Sequence, residues 1–341
     1  MRDDILRPAE ILVTVPARLH LGFLDLNGGL GRQFGGVGLA IDHFRTSLIM
    51  QSAKHADVSG PESERVRQYL YTMERSLGHV GAHAVKVLQT VPAHAGLGSG
   101  TQLALAVASG IRRLHNLPLE IEDDALRLGR GARSGIGVGL FHRGGLVVDG
   151  GHGDGGPGRQ SRVAPIVSHL PFPEHWRILV ILDPQRDGVH GHDEASAFAT
   201  LAPMPEIDAA QICRLVLMKA LPALAEQDIV SFGGAIKELQ TRLGNYFART
   251  QGGAGFTSSA VASVLAALDA AGAHGIGQSS WGPTGFAFAP SAEGAERLAK
   301  LASKHPAARG LNIQVCSGLN RGAEIVSRSS GDAPWHMTHR R

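Results

Sequence analysis

Three glycines within five residues, Gly96, Gly98 and Gly100, stand between an extended segment and a long apolar one, in the sequence PAHAGLGSGTQLALA at residues 92–106. Glycine lets the backbone turn tightly and approach a ligand closely. A helix starting there presents several free amide N–H groups and a partial positive charge. Both properties suit a phosphate or pyrophosphate, so Gly96, Gly98, Ser99, Gly100 and Thr101 are the expected phosphate-binding residues. The structural alternative is a capping box, in which Ser99 and Gln102 simply start the helix. It competes for the Ser99 hydroxyl but leaves the amides available. No lysine follows the glycines, so this is not a Walker A loop.

Around this loop the chain reads as alternating strands and helices. Strands are expected at residues 11–15, 45–51 and 85–91, and helices at 63–78, 101–115 and 120–130. The glycine-dense run LNGGLGRQFGGVGLAID, residues 26–42, reads as turns and loops bordering a site. A strand at 145–149 precedes an exposed loop at 150–158. The second half opens with a buried strand at 177–182, followed by helices at 207–225, 228–247 and 258–271. A turn at 275–282, a strand at 285–289, a helix at 292–304 and a strand at 311–316 complete an α+β pattern. A chain of 341 residues accommodates two domains, expected at 1–170 and 171–328, with a flexible tail at 329–341.

Composition narrows the partners. Lys and Arg number 33 against 30 Asp and Glu, and no basic run interleaved with aromatics offers a nucleic-acid platform. Two cysteines, Cys213 and Cys316, make neither a disulfide framework nor a cysteine-rich zinc site. No apolar run reaches the ~20 residues of a membrane helix, and the N-terminus lacks a signal-peptide core. A cytoplasmic protein that binds anionic small molecules, with no nucleic acid and no membrane, is the expectation.

Arg18, Arg32, Arg133 and Arg186 each sit in or beside a glycine-rich loop or strand end, where a guanidinium can fork onto a phosphate. Asp25, Asp42 and Asp183 are candidates for holding Mg²⁺ beside a substrate phosphate, or for capping turns. His190 and His192, two residues apart, carry only a weak metal signal; a substrate loop is the better reading of residues 183–194. In GIGQSSWGPTG, residues 275–285, the small residues are expected to pack against the glycine loop from the other domain. Trp281 there can wall a flat substrate.

Three segments in this order, PARLHLGFLDLNGG, PAHAGLGSGTQLALA and GIGQSSWGPTGFAFA, resemble the GHMP superfamily of small-molecule kinases. That resemblance implies an N-terminal domain like domain 2 of ribosomal protein S5 and a ferredoxin-like C-terminal domain, with a ligand between them. One departure concerns an S-G-x-D segment that in several of these kinases delivers an aspartate to the substrate hydroxyl. Here the comparable stretch is Arg133-Ser134-Gly135-Ile136-Gly137, with glycine at the aspartate position. An ATP-dependent kinase would then lack its general base.

Within the superfamily the chain is similar to the β-ribofuranosylaminobenzene 5'-phosphate synthases. The similarity lies in RLHLGFLDLNGGLGRQFGGVGLAID, AGLGSGTQLALA, RSGIGVGLFHRGGLVVDGGH and GQSSWGPTGFAFA, and in the spacing from Gly188 through Gly191 and Glu194 to Phe198. This resemblance implies a pentosyl transfer in which phosphoribosyl pyrophosphate condenses with 4-aminobenzoate or 4-hydroxybenzoate, releasing CO₂ and pyrophosphate, as the first step toward methanopterin. It further implies a homodimer and Mg²⁺ as cofactor. On this reading Gly96, Gly98, Ser99, Gly100, Thr101, Arg18 and Arg186 bind phosphate. His20, Asp25 and Arg32 are catalytic, Asp25 and Asp183 hold the metal, and Ser279, Ser280 and Trp281 border the aromatic acid. The alternatives are an ATP-dependent kinase of the same superfamily and a regulator that binds ligand in the cleft without turnover.

Overall fold

The computed structural model describes residues 8–78, 80–131, 133–153, 162–188, 196, 198, 200–248 and 255–329. Its largest feature is a hairpin of two long antiparallel strands, β1 (Glu10–Asp25) and β2 (Arg32–Ala53). The expected turns and loops of residues 26–42 are therefore mostly strand. The glycines serve close packing. A Cβ on Gly38 would collide with Ile136, and one on Gly36 would lie 2.8 Å from the same side chain. These glycines let helix α4 (Ile136–Arg143) press onto β2. Helix α4 itself is the element that glycine content hides in the sequence, since its segment is IGVGLFHR.

Strands β3 (Asp57–Ser59) and β4 (Ala82–Gln89) extend the sheet beyond β2. The other end of β2 pairs with β5 (Leu146–Asp149), which pairs in turn with β7 (Ile166–Leu170). A two-residue β6 (His152–Gly153) adds to β2 at Arg32 and Gln33. Helices α1 (Ser63–Ser76) and α2 (Ser99–Leu114) bury Val66, Tyr69, Leu70, Met73 and most of α2 in one core with Ile11, Val13, Val15, Leu48 and Met50. A short α3 (Ile121–Arg127) packs beside α2.

The second domain starts at β8 (Arg177–Leu182). Helix α5 (Glu206–Leu215), a π-helical turn (Val216–Ala220) and α6 (Leu221–Ala225) together fill the expected helix at 207–225. Helices α7 (Ile229–Phe247) and α8 (Ser259–Ala270) lead into β9 (His274–Gln278) and β10 (Thr284–Ala289). Helix α9 (Ala292–Lys304) and β11 (Asn312–Cys316) complete the unit. Its antiparallel sheet has the order β11-β8-β10-β9, which in domain sequence is fourth, first, third, second, as a ferredoxin-like domain requires.

The chain then returns to the first sheet. β12 (Glu324–Arg328) pairs with β1 from Glu10↔Arg328 to Thr14↔Glu324. Residues 324–328, expected in the second domain, thus complete the first. The two domains share an apolar core that joins Leu19, Leu21 and Leu39 to Ile178, Phe232 and Phe286. Among the described residues no helix is long and apolar enough to cross a membrane. The expected tail beyond Ser329 and most of the loop at 150–158 lie outside the described residues.

Candidate active site

The glycine loop opens helix α2, with Gly98 as the N-cap in the left-handed region at φ 80° and no side-chain cap. The alternative of a capping box is absent: Gln102 is buried and its Nε2 donates instead to the Gly137 carbonyl at 3.3 Å. The first intrahelical amide is that of Gln102, donating to Gly98 O at 3.3 Å. Helix geometry therefore leaves the N–H groups of Ser99, Gly100 and Thr101 for another acceptor.

Two arginines bracket this first turn. A Cβ on Gly98 would lie 2.6 Å from Cγ of Arg18, and one on Gly100 would lie 3.0 Å from Nη1 of Arg130. At Gly98, also held at positive φ, the Arg18 arm excludes a side chain; at Gly100 a side chain would press on the end of the Arg130 guanidinium. Arg18 comes from β1, where its backbone N–H also donates to Leu97 O at 3.1 Å. The Arg130 guanidinium lies 5.6 Å from the Tyr69 ring centroid and donates to the Tyr69 hydroxyl.

The outer side of the loop is held by the second domain. Three consecutive carbonyls accept from it: His94 O from Gly188 N–H at 2.9 Å, Ala95 O from the Thr284 hydroxyl at 2.7 Å, and Gly96 O from the Ser279 hydroxyl at 2.7 Å. The approach is backbone to backbone, since a Cβ on Gly96 would strike the Ser279 carbonyl and one on Gly282 would strike Ala95. The expected packing of these two small-residue segments is present.

Between them lies a cavity of about 420 Å³. Its described lining includes the amide turn of α2 and four arginines, Arg18, Arg65, Arg130 and Arg133, and no carboxylate. One wall is aromatic: His20, Phe23 and Trp281 line it, with Phe198 5.1 Å from Trp281 and 5.6 Å from Phe23, ring centre to ring centre. Arg133 sits 5.8 Å over the Phe198 ring. Such a cavity pairs a strongly electropositive end with a flat apolar one. Burial, reinforced by the neighbouring Arg18 charge, pushes the His20 imidazole down to about 3, so it is neutral at ordinary pH.

Of the residues expected in the site, Arg18, His20, Gly96, Gly98, Ser99, Gly100, Thr101, Ser280 and Trp281 line this cavity, and Ser279 braces the loop from behind. Four others are elsewhere. The Asp25 carboxylate caps the β1–β2 turn, accepting from Asn27 N–H at 2.7 Å and Gly28 N–H at 3.0 Å. Arg32 is tied to the Gly150 and Gly151 carbonyls at 2.8 and 2.6 Å. Asp183 accepts from the Ser258 hydroxyl at 2.7 Å and Gln185 N–H at 3.0 Å. Arg186 is exposed beyond the lining.

Asp42 likewise accepts from Ser317 N–H at 2.8 Å. The carboxylates expected to hold Mg²⁺ therefore each engage nearby groups, and none of them lines the described cavity. Among the described residues no group of three or more His, Cys, Asp and Glu side chains could hold a metal ion. His190, His192 and Glu194 lie outside the described residues.

Sequence reasoning missed Arg65, Tyr69 and Arg130. The available signal was the run Gly129-Arg130-Gly131, an arginine set between two glycines. It also missed Asp149, which is fully buried and accepts from the Ser134 hydroxyl and from Gly135 and Gly151 N–H groups at 2.9–3.0 Å. Burial pushes its carboxyl upward. It holds the turn that carries Arg133 and Ser134 into the cavity.

Comparison with known proteins matches the family model for the GHMP kinases N-terminal domain over residues 64–145, and the GHMP kinases C-terminal model over residues 220–307. The chain is 32% identical over 334 residues to the beta-ribofuranosylphenol 5'-phosphate synthase of Methanothermobacter thermautotrophicus, covering 93% of this chain and 99% of that protein. It is 35% identical over 325 residues to the enzyme of the same name from Archaeoglobus fulgidus, covering 91% and 97%. Among solved structures it superposes on phosphomevalonate kinase from Streptococcus pneumoniae with a TM-score of 0.68 at 12% identity, covering 91% of this chain and 100% of that one. Homoserine kinase from Cytophaga hutchinsonii gives 0.65 at 17%, covering 93% and 98%. At these identities the structural matches speak to the fold.

Proposed function

The chain belongs to the GHMP kinase superfamily and, within it, to the beta-ribofuranosylphenol 5'-phosphate synthases, and from that premise we propose that its cavity joins phosphoribosyl pyrophosphate to a 4-substituted benzoate with loss of CO₂ and pyrophosphate. The observation that carries this reading is the composition of the lining: Arg18, Arg130 and the amide turn of α2 at one end, an aromatic wall with Arg133 over it at the other. A donor with two anionic groups and a flat aromatic acceptor match those two ends.

The chemistry is a decarboxylating C-glycoside synthesis. The bond from the ribose anomeric carbon to the pyrophosphate oxygen breaks, and the ring carbon bearing the carboxylate attacks the electron-poor sugar. The carbon–carboxylate bond then breaks, returning its electron pair to the ring and releasing CO₂. The carboxylate's negative charge ends on the departing pyrophosphate, so no redox cofactor is needed.

Arg18, Arg130 and the amides of Ser99, Gly100 and Thr101 take up the charge that develops on the leaving group. Stacking against Phe23 and Trp281 holds the acceptor's ring face toward the sugar, and Arg133 is placed for its carboxylate until CO₂ departs. Alignment of two substrates in this way is worth about 7–11 kcal/mol of barrier. The relatives' names specify a ribofuranosylphenol, which favours the 4-hydroxy over the 4-amino acid as the acceptor.

The kinase alternative loses ground at Gly137. A Cβ there would lie 2.9 Å from Cγ2 of Thr101, so the site has no room for an aspartate at that position while Thr101 keeps its place. The deciding assay incubates the protein with phosphoribosyl pyrophosphate, Mg²⁺ and carboxyl-labelled 4-hydroxybenzoate or 4-aminobenzoate. CO₂ released in equal amount with pyrophosphate is the expected result. No CO₂ from either acid, with ADP formed from ATP and a small alcohol, would replace this reading with the kinase.

A further inference from the structure

We propose that Tyr69 is a positioning residue that holds the Arg130 guanidinium across the first turn of α2, so that Arg130 and the amides of Ser99, Gly100 and Thr101 bind the pyrophosphate end of the donor as one unit. The inference rests on the proposed function for the identity of the anion.

Arg130 stands in a loop between Gly129 and Gly131, both in the left-handed region at φ 67° and 78°. Neither neighbour has a side chain to steer the arginine, so its direction is set from outside. Tyr69, on α1 and only 7% exposed, supplies that direction twice. Its ring face lies under the guanidinium, 5.6 Å from centroid to carbon, and its hydroxyl accepts from Nη2. Having accepted there, the hydroxyl has its own hydrogen to donate, and Gly100 O lies 3.5 Å away. One phenol thus ties Arg130 to the turn whose amides it must work beside.

The guanidinium keeps most of its hydrogen-bonding capacity. It makes no ion pair with a carboxylate among the described residues, and its Nε is buried without a partner. A guanidinium carries five N–H donors in a planar fork, and holding it ready removes the ordering cost that a mobile arginine would pay on binding. Gly100 fits the same account, since a side chain there would displace Nη1.

The test is titration calorimetry with inorganic pyrophosphate on the full chain, using wild type, Tyr69→Phe, Arg130→Gln and the double variant, each checked for an unchanged melting profile. Arg130→Gln is expected to weaken pyrophosphate about 10- to 100-fold, as loss of charged hydrogen bonds does. Tyr69→Phe, which keeps the ring and loses the hydroxyl, is expected to weaken it about 3- to 10-fold. In the Arg130→Gln background Tyr69→Phe should add nothing, because the tyrosine acts only through the arginine. The KM for phosphoribosyl pyrophosphate should follow the same order while the KM for the benzoate stays put.

Wild-type affinity in Tyr69→Phe, or an equal loss in both backgrounds, would overturn the proposal. A protein that shows the expected pyrophosphate pattern but releases no CO₂ keeps this inference and loses the proposed reaction. CO₂ release without the pattern does the reverse.

Discussion

The Ser279 hydroxyl donates to the Gly96 carbonyl at 2.7 Å and accepts from the His20 N–H at 3.0 Å, so one buried side chain of the second domain joins the phosphate loop to strand β1. Both partners belong to the first domain and both are backbone groups. Ser279 itself is fully buried.

Ser279→Ala should therefore leave the half-buried Gly96 carbonyl and the buried His20 N–H without this partner. That costs about 1–3 kcal/mol for each group left without a partner. Urea unfolding should show a lower midpoint, and the KM for the donor should rise as the loop loosens. An unchanged midpoint would mean that neighbouring groups rearrange to fill both roles.

Gly137 offers a test with an inverted sign. On an exposed helix a glycine-to-alanine change usually stabilises by up to ~1 kcal/mol. Here the added methyl would meet Thr101 Cγ2 at 2.9 Å, a short branched side chain with little room to retreat. Gly137→Ala should instead destabilise the protein and weaken pyrophosphate binding, because Thr101 belongs to the amide turn. Differential scanning calorimetry and a pyrophosphate titration read both effects.

Asp25 and Arg32 mark the boundary of the site from outside. Asp25→Asn and Arg32→Ala should lower thermal stability, since each loses bonds that hold the turns at residues 25–28 and 150–151. Turnover by the folded fraction should stay within about threefold of wild type, as expected of residues away from the reacting atoms. A hundredfold fall in kcat for either variant would return that residue to the catalytic set.

Acid stability reports on His20. Its folded value is lowered from 6.5 to about 3, so between those values the unfolded chain binds a proton that the native chain refuses. Stability is then fully present above pH ~6.5 and is lost as the pH falls, at up to about 1.4 kcal/mol per unit. His20→Gln should flatten that part of the pH profile relative to wild type. Equal slopes in the two proteins between pH 4 and 6 would show that His20 is not the group responsible.

Much of the site was legible because its chemistry is local. Gly96, Gly98, Gly100 and the apolar run behind them specify a tight turn into a helix whatever packs around them. The helix at α7 and the strand at β8 follow from hydrophobic periodicity in the same way. The two glycine-dense segments are less legible. At Gly36, Gly38 and Gly137 the glycines mark where a helix comes close, and a loop and a close approach look alike in sequence.

What decided the membership of the cavity was long-range pairing. Asp25, Arg32, Asp183 and Arg186 have the right chemistry at the edges of the right loops, yet the fold engages the first three with nearby partners and leaves Arg186 exposed outside the lining. Arg130 and Tyr69 come from segments 61 residues apart and meet only where α1 and the loop after α3 flank the start of α2. The return of β12 to β1 across more than 300 residues is of the same kind. Local residue types set the turns, the helices and the anion-binding chemistry of the glycine loop. Which side chains surround that loop depends on contacts whose energy exists only once segments distant in sequence have packed.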